Sequence, residues 1–348
     1  MKKWIIALVL LAHVGGLAWF LLRNRGAEPA PAPEAAAASQ AQPPPPPPEL
    51  TMARFALGVA PAAPLPAKLA PLAQDCRTGI LVDLGSRQIL WQKSPDQPAA
   101  IASMTKMMTA LLAMEAIHKE KRLDYATRIP VTPTAAKIGG SQVWLDPKEI
   151  FTAEELLKCV MIKSANDASH LLAEHLGGGD AAAFVAAMNR RAQELGCPGM
   201  KFYNAHGLPP ARNAPENEAT ARELALLAAR LLEYPDLMRI SAIKMDWIRK
   251  DTPKPTELFN HNTLISRLNC PGVDGLKTGL TNKAGNCVTA TCLRNGRRLI
   301  AVATGCSTAK NRDRLVAGLF DWGYQQPPAA APAAKATPPA ARQPGHGG

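Results

Sequence analysis

Apolar positions along this chain change their rhythm several times, and each change predicts a different kind of element. From Trp4 to Leu22 the run WIIALVLLAHVGGLAWFLL is apolar apart from His13, and Lys2 and Lys3 precede it. Its 19 residues suit a membrane span of about 20 better than the roughly 7–15-residue core of a cleaved signal. No small-residue cleavage site follows closely, so residues 1–25 are expected to be an uncleaved membrane anchor. Pro- and Ala-rich sequence then continues to about Pro71 and contains six consecutive prolines. Such a run excludes helix and central strand and stiffens the chain as polyproline II. Residues 26–71 therefore read as a linker, and a similar stretch at 326–348 reads as a disordered tail.

Between them, residues 72–325 carry the periodic patterns of a folded domain. GILVDLGSRQILWQKS (79–94) reads as two strands around Leu84-Gly85-Ser86. Residues 103–118 read as a helix whose apolar side is Met107, Met108, Leu111 and Met114. Thr152 with Glu155 forms a capping-box start, and that helix is expected to pause near Ser164-Ala165-Asn166. It resumes through Leu172 and stops at Gly177-Gly178-Gly179. A further helix covers 220–233, a hairpin turns at Asn295-Gly296, and NRDRLVAGLFDWGY closes the domain as a helix. Two strands, many helices, at least three strands and a helix do not form βαβ units. The order predicts an α+β fold: a mainly antiparallel sheet flanked by helices, with a large helical insertion between its early and late strands.

Composition narrows the choice of partner. The 348 residues are 47% hydrophobic but only 5% aromatic, with 32 prolines and a formal charge of +12. The charge suits an anionic polymer or membrane surface. No basic stripe interleaved with aromatics and no zinc-finger spacing is present, so nucleic acid is not an expected partner. Seven cysteines are scattered without C-x-x-C pairing, so disulfides cannot be assigned from spacing. HLLAEH (170–175) has one residue too many for a zinc H-x-x-E-H, and five apart on a helix its histidines diverge by about 140°. Neither metal nor cofactor is expected.

Ser-x-x-Lys occurs three times, at Ser103/Lys106, Ser241/Lys244 and Ser307/Lys310. Ser164-Ala165-Asn166 is the one S-x-N in the chain and Lys277-Thr278-Gly279 the one K-T-G. The order S-x-x-K, S-x-N, K-T-G selects Ser103/Lys106, because Ser241 follows the S-x-N and Ser307 follows the K-T-G. A serine hydroxyl is a weak nucleophile and needs an adjacent base. Three residues apart on a helix, Ser103 and Lys106 share a face. Lysine can act as that base when burial or a nearby cation lowers its pKa, and Lys277 is the candidate cation. Without its companions, Ser103 would be read as a helix cap. His206 in NAHGL is expected to be structural.

These three motifs, with FYNAHGL, GVDGLKTGLTNKAGNC and the closing LFDWGY, resemble the D-alanyl-D-alanine carboxypeptidases, low-molecular-mass penicillin-binding proteins, over about Thr78–Tyr324. The resemblance implies the β-lactamase/transpeptidase-like fold and an acyl-enzyme on Ser103, with Lys106 as general base and Ser164 as proton relay. It implies an oxyanion hole from the N–H groups of Ser103 and Leu280, and Asn166 holding the peptide amide. Lys277 and Thr278 would bind the terminal carboxylate, with Gly279 allowing close approach and Arg312 in the place of a carboxylate-binding arginine. The substrate implied is a peptidoglycan stem peptide, with β-lactams as covalent inhibitors. Several members carry a further C-terminal β-rich domain, whereas a Pro/Ala tail stands here. Attachment is therefore expected through the N-terminal span, with the catalytic domain on the periplasmic, extracytoplasmic side.

Three other readings compete. A class A β-lactamase needs an E-x-x-L-N block after the S-x-N, and the corresponding GCPGMKFYNAHGL lacks it. A DD-endopeptidase shares the K-T-G. A penicillin-binding sensor or tether would be acylated without turnover. No G-x-S-x-G elbow supports a Ser-His-Asp hydrolase.

Overall fold

The computed structural model describes residues 48–60, 63–209, 211 and 213–328. The apolar run at Trp4–Leu22, most of the linker and the tail from residue 329 lie outside the described residues. Among the described residues no helix is long and apolar enough to cross a membrane.

Six strands form the main sheet: β1 (Gly58–Val59), β2 (Thr78–Asp83), β3 (Gln88–Lys93), β4 (Val273–Thr281), β5 (Gly285–Arg294) and β6 (Arg297–Cys306). Their order is β1-β3-β2-β6-β5-β4, antiparallel except for the β1–β3 edge. The β5–β6 hairpin turns where expected, with Asn295 at φ 49° and Gly296 at φ 76°. Two successive positive φ values match the strand twist as a type I′ turn, which Asn-Gly adopts cheaply. Early strands beside late ones, with everything between them inserted, is the α+β arrangement read from the sequence.

Alternation along the central strands feeds two cores. Ile80, Val82, Ile300 and Val302 face one layer of helices, while Leu81, Leu299, Ala301 and Ala303 face another. Burial on both faces explains why LIAVATGC reads as a nearly continuous apolar run. The second face is covered by α1 (Ala70–Asp75) and by α8 (Ala309–Gln325), through Leu315, Val316, Leu319 and Phe320.

The first face carries the helical insertion: α2 (Lys106–His118), α3 (Ala153–Lys158), α4 (Asn166–Leu176), α5 (Ala181–Glu194), α6 (Ala221–Leu231) and α7 (Pro235–Ala242). Helix α2 was expected to have one apolar side, yet every residue from Lys106 to Ile117 is buried. A helix apolar nearly all round belongs inside, and it takes Lys106 with it. Helix α3 starts on the Thr152–Glu155 capping box. The expected pause is a π-turn at Cys159–Lys163, followed by Ser164 in the left-handed region at φ 62°. A two-stranded ribbon, Met245–Ile248 with Thr256–Phe259, was not foreseen.

The linker boundary moves. Residues assigned to it, from Glu49 onward, pack on the domain: Phe55 is 2% exposed and Met52 N–H donates to Leu195 O at 2.8 Å. Glu49 accepts from Arg230 at 2.7 Å and pairs with Arg191 and Lys119. These contacts, Arg191 first, hold its carboxyl down at about 2 despite opposing burial. The Pro/Ala background hid four apolar anchors, Leu50, Met52, Phe55 and Leu57, whose side chains reach the core. At the other end Arg297 donates to Gln326 O at 2.7 Å, so the domain continues just past 325.

Candidate active site

Ser103 sits in a 3-10 turn, Ala102–Thr105, immediately ahead of α2 rather than in its first α-helical turn. Ala102 has φ 46°, a left-handed backbone costing an alanine about 1 kcal/mol or more. Hydrogen bonds hold it there. Thr105 Oγ1 donates to Ala102 O at 2.7 Å, Asn217 Nδ2 donates to Thr105 Oγ1 at 2.8 Å, and Ile101 N–H donates to Asn217 O at 3.0 Å.

Lys106, fully buried, lies among three partners: Ser103 Oγ at 3.1 Å, Asn166 Oδ1 at 2.7 Å and His206 O at 2.6 Å. Asn166 is oriented by its other end, whose Nδ2 donates to Gly139 O at 2.8 Å. Both Asn166 Oδ1 and the His206 carbonyl are acceptors only. A neutral lysine amine has two hydrogens and one lone pair. The two acceptors take the hydrogens, and the lone pair is left for Ser103. Burial favours that neutral form, pushing the amine well below its ordinary value; the charge of Lys277 adds to this, and Asp167 opposes it.

Ser164, raised on the π-turn by its left-handed backbone, lines the same cleft as Ser103 and Asn166. The cleft has a volume of about 470 Å³ and is walled also by Phe259, His261, Thr278, Gly279 and Leu280. Strand β4 is the sheet edge, so half of its peptide groups point away from β5. It passes close to the serine turn: a Cβ on Gly279 would stand 2.6 Å from Ile101 O and 3.2 Å from Ser103 N. Leu280 is exposed at 67%, leaving its backbone at the cleft mouth.

Lys277 is 1% exposed, and burial first and Arg312 second bring its amine down to about 7. Arg312 does line the cleft, but its Nε and Nη2 are held by Asp313 Oδ1 at 2.8 and 2.7 Å. It is thus a charge-balanced unit, whereas Lys277 makes no ion pair among the described residues.

Seven of the nine expected residues line one cleft, while Lys106 is buried against Ser103 and Lys277 is buried on β4 next to Thr278; the structure also adds residues that the motifs did not name. His206 contributes a backbone carbonyl, which no side-chain pattern signals. Its ring, brought down to about 3 chiefly by burial and then by Lys106, stays neutral and accepts from Leu208 N–H at 3.1 Å. Gly207, in the left-handed region, lies against the serine turn. Asp167 accepts from the N–H groups of Val143, Leu145 and Ala168 at 2.9–3.3 Å and fixes the loop that carries Gly139. His261, held near 4 by burial and by the lysines Lys277, Lys163 and Lys106, forms a neutral wall. The HLLAEH histidines join no metal-binding group among the described residues.

A family model described as D-alanyl-D-alanine carboxypeptidase matches residues 66–308. The D-alanyl-D-alanine carboxypeptidase DacF of Bacillus subtilis is 37% identical over 255 residues, covering 73% of this chain and 64% of that protein. A D-alanyl-D-alanine endopeptidase of Escherichia coli is 30% identical over 227 residues, covering 65% of this chain and 69% of that protein. Penicillin-binding protein D2 of Listeria monocytogenes, in its ampicillin-bound form, superposes with a TM-score of 0.63 at 26% identity, covering 72% of this chain and 98% of that chain. The chain spans 61–64% of the length of the first curated relatives it matches. With the family model covering the serine turn, the S-x-N and the edge strand alike, this chain belongs to the D-alanyl-D-alanine carboxypeptidase family.

Proposed function

We propose that this protein is a serine-type D-Ala-D-Ala carboxypeptidase that removes the terminal D-alanine from peptidoglycan stem peptides. The observation that carries the proposal is the buried Lys106 amine, 3.1 Å from Ser103 Oγ and 2.7 and 2.6 Å from the acceptors Asn166 Oδ1 and His206 O, which in its neutral form can give its two hydrogens to those acceptors and its lone pair to Ser103. Ser103 Oγ attacks the carbonyl carbon of the penultimate D-alanine and passes its proton to Lys106 Nζ. The N–H groups of Ser103 and Leu280 receive the oxyanion. The C–N bond then breaks, Ser164 relays the proton to the departing amine, and water hydrolyses the ester. Asn166 keeps Lys106 aimed. Lys277 and Thr278 hold the substrate's free carboxylate, and Gly279 lets the peptide lie along the β4 edge.

The test joins acylation to turnover. Incubation with penicillin should add one penicilloyl group, mapping to the tryptic peptide that ends at Lys106. The protein should then release D-alanine repeatedly from a stem pentapeptide. An adduct without turnover would make it a sensor or tether. Faster cleavage of a cross-linked dimer than of the pentapeptide would make it an endopeptidase, as the Escherichia coli relative is named.

The anchor is the second part of the proposal. The Trp4–Leu22 run holds the catalytic domain on the extracytoplasmic side of the membrane, its length being the supporting feature. Deleting residues 4–22 should move the protein from the membrane fraction to the soluble one. An unchanged distribution would overturn the anchor.

A further inference from the structure

We propose that Cys76 and Cys306 form a disulfide in the exported protein, joining the chain that enters the central strand β2 to the end of β6. The oxidising setting rests on the extracytoplasmic reading above; the geometry does not. In the β2–β6 ladder Thr78 pairs with Thr304. Cys76 and Cys306 each lie two residues beyond that pair, past the left-handed Gly305, and both face the second core rather than the side on which the threonine hydroxyls meet at 2.8 Å. The neighbouring backbone brackets them: Arg77 N–H donates to Thr304 O at 2.7 Å. The Cys76 S–H donates to Ala73 O at 3.2 Å, and both sulfurs pack into the second core. Both are 1% exposed and both are free thiols in the structure.

The backbone around them is fixed on both sides. Lys93 Nζ donates to the carbonyls of Cys76, Gln74 and Ala73 at 2.5, 2.7 and 3.1 Å. On the other strand the Cys306 carbonyl accepts from Asn286 Nδ2 at 3.2 Å, and Asp75 accepts from Ser307 N–H at 3.1 Å. Disulfides require facing Cβ vectors and a narrow range of Cα separations, and these flanking bonds hold the two cysteines together at the end of the β2–β6 ladder. Among the other cysteines, Cys197 donates to Leu195 O, Cys287 to Ala284 O and Cys292 to Pro271 O.

One of the two thiolates attacks a low-molecular-mass disulfide such as oxidised glutathione, giving a mixed disulfide and one released thiol. The other cysteine, losing its proton, attacks the protein sulfur of that mixed disulfide and expels the second small thiol. Two protein thiols and one disulfide become one protein disulfide and two small thiols. Because both sulfurs are buried, the exchange belongs to folding, before the ladder end closes. The bond encloses every motif residue in one covalent loop and fixes the strand end from which α8, with Arg312, departs.

The experiment refolds the full-length chain with oxidised glutathione, then alkylates it under denaturing conditions and maps it without reduction. Five of the seven cysteines should alkylate, and the tryptic peptides 69–77 and 299–310 should appear linked. The oxidised protein should melt roughly 5–10 °C above the reduced one, and Cys306→Ser should abolish both the link and the shift. Seven alkylated thiols, or a link through another cysteine, would overturn the proposal. Penicillin acylation is measured on the same samples. A linked pair in a protein that is never acylated would sink the carboxypeptidase reading alone, while seven thiols in an acylated protein would sink the disulfide alone.

Discussion

Replacing Lys106 by methionine lowers the rate of penicillin acylation by at least about 10,000-fold, the scale of removing the base from a nucleophile–base pair. Methionine fills the buried channel, so folding survives better than with alanine, and a melting curve run alongside separates lost chemistry from lost structure. The cost in stability comes from Asn166 Oδ1 and the His206 carbonyl, each left without its lysine hydrogen. A buried acceptor without a partner costs about 1–3 kcal/mol. If Lys106→Met is acylated within tenfold of the wild type, Lys106 is not the base.

The pH profile of the wild type tests the same assignment. Acylation needs Lys106 neutral, so kcat/KM rises as pH increases through that group's depressed pKa. Carboxylate binding needs Lys277 charged, so kcat/KM in the free enzyme falls as pH passes about 7. Bound substrate places an anion beside Lys277 and favours its charged form, so the falling limb of kcat moves to higher pH than that of kcat/KM. Coincident falling limbs would show that Lys277 does not meet the carboxylate.

Much of this site was legible in the chain because its chemistry resides in side chains at distinctive spacings. Ser103, Lys106, Ser164 and Lys277 need only be read in order, and one sheet edge with two helix starts gathers them. The burial of Lys106 was partly legible too, since KMMTALLAMEAI has almost no polar face to turn toward water. What escaped is backbone. The carbonyl of His206 would be the same carbonyl under any side chain, and the left-handed Ala102 follows from hydrogen bonds made by residues far away in sequence. Docking of Glu49–Leu57 escaped for a compositional reason: its few apolar anchors stand in a Pro/Ala background, and its acid meets Arg191 and Arg230 from distant helices. Arg312 was found in its expected place, but its sequence neighbour Asp313 neutralises it, which position alone does not reveal.

Gly207→Ala should cut acylation by at least about 100-fold and destabilise the fold by about 3 kcal/mol or more. Two separable effects combine at this position. Its φ of +86° disfavours any side chain, a penalty of order 1 kcal/mol. The added Cβ would also stand 2.0 Å from Ala102 O, 2.4 Å from Ala102 C and 2.9 Å from Ser103 N. Those are backbone atoms, so no rotamer change relieves the clash; the serine turn or the NAHGL turn must move. Either movement separates the Lys106 amine from one of its partners, because Ser103 rides on one turn and the His206 carbonyl on the other. Gly178→Ala is the matched control: its φ is +71° and nothing lies within 4 Å of the new Cβ. It should lose only the backbone penalty and acylate at the wild-type rate. If the two variants acylate alike, the close approach of the NAHGL turn does not position the nucleophile, and the aim of Ser103 must come from the Asn217–Thr105 bonds alone.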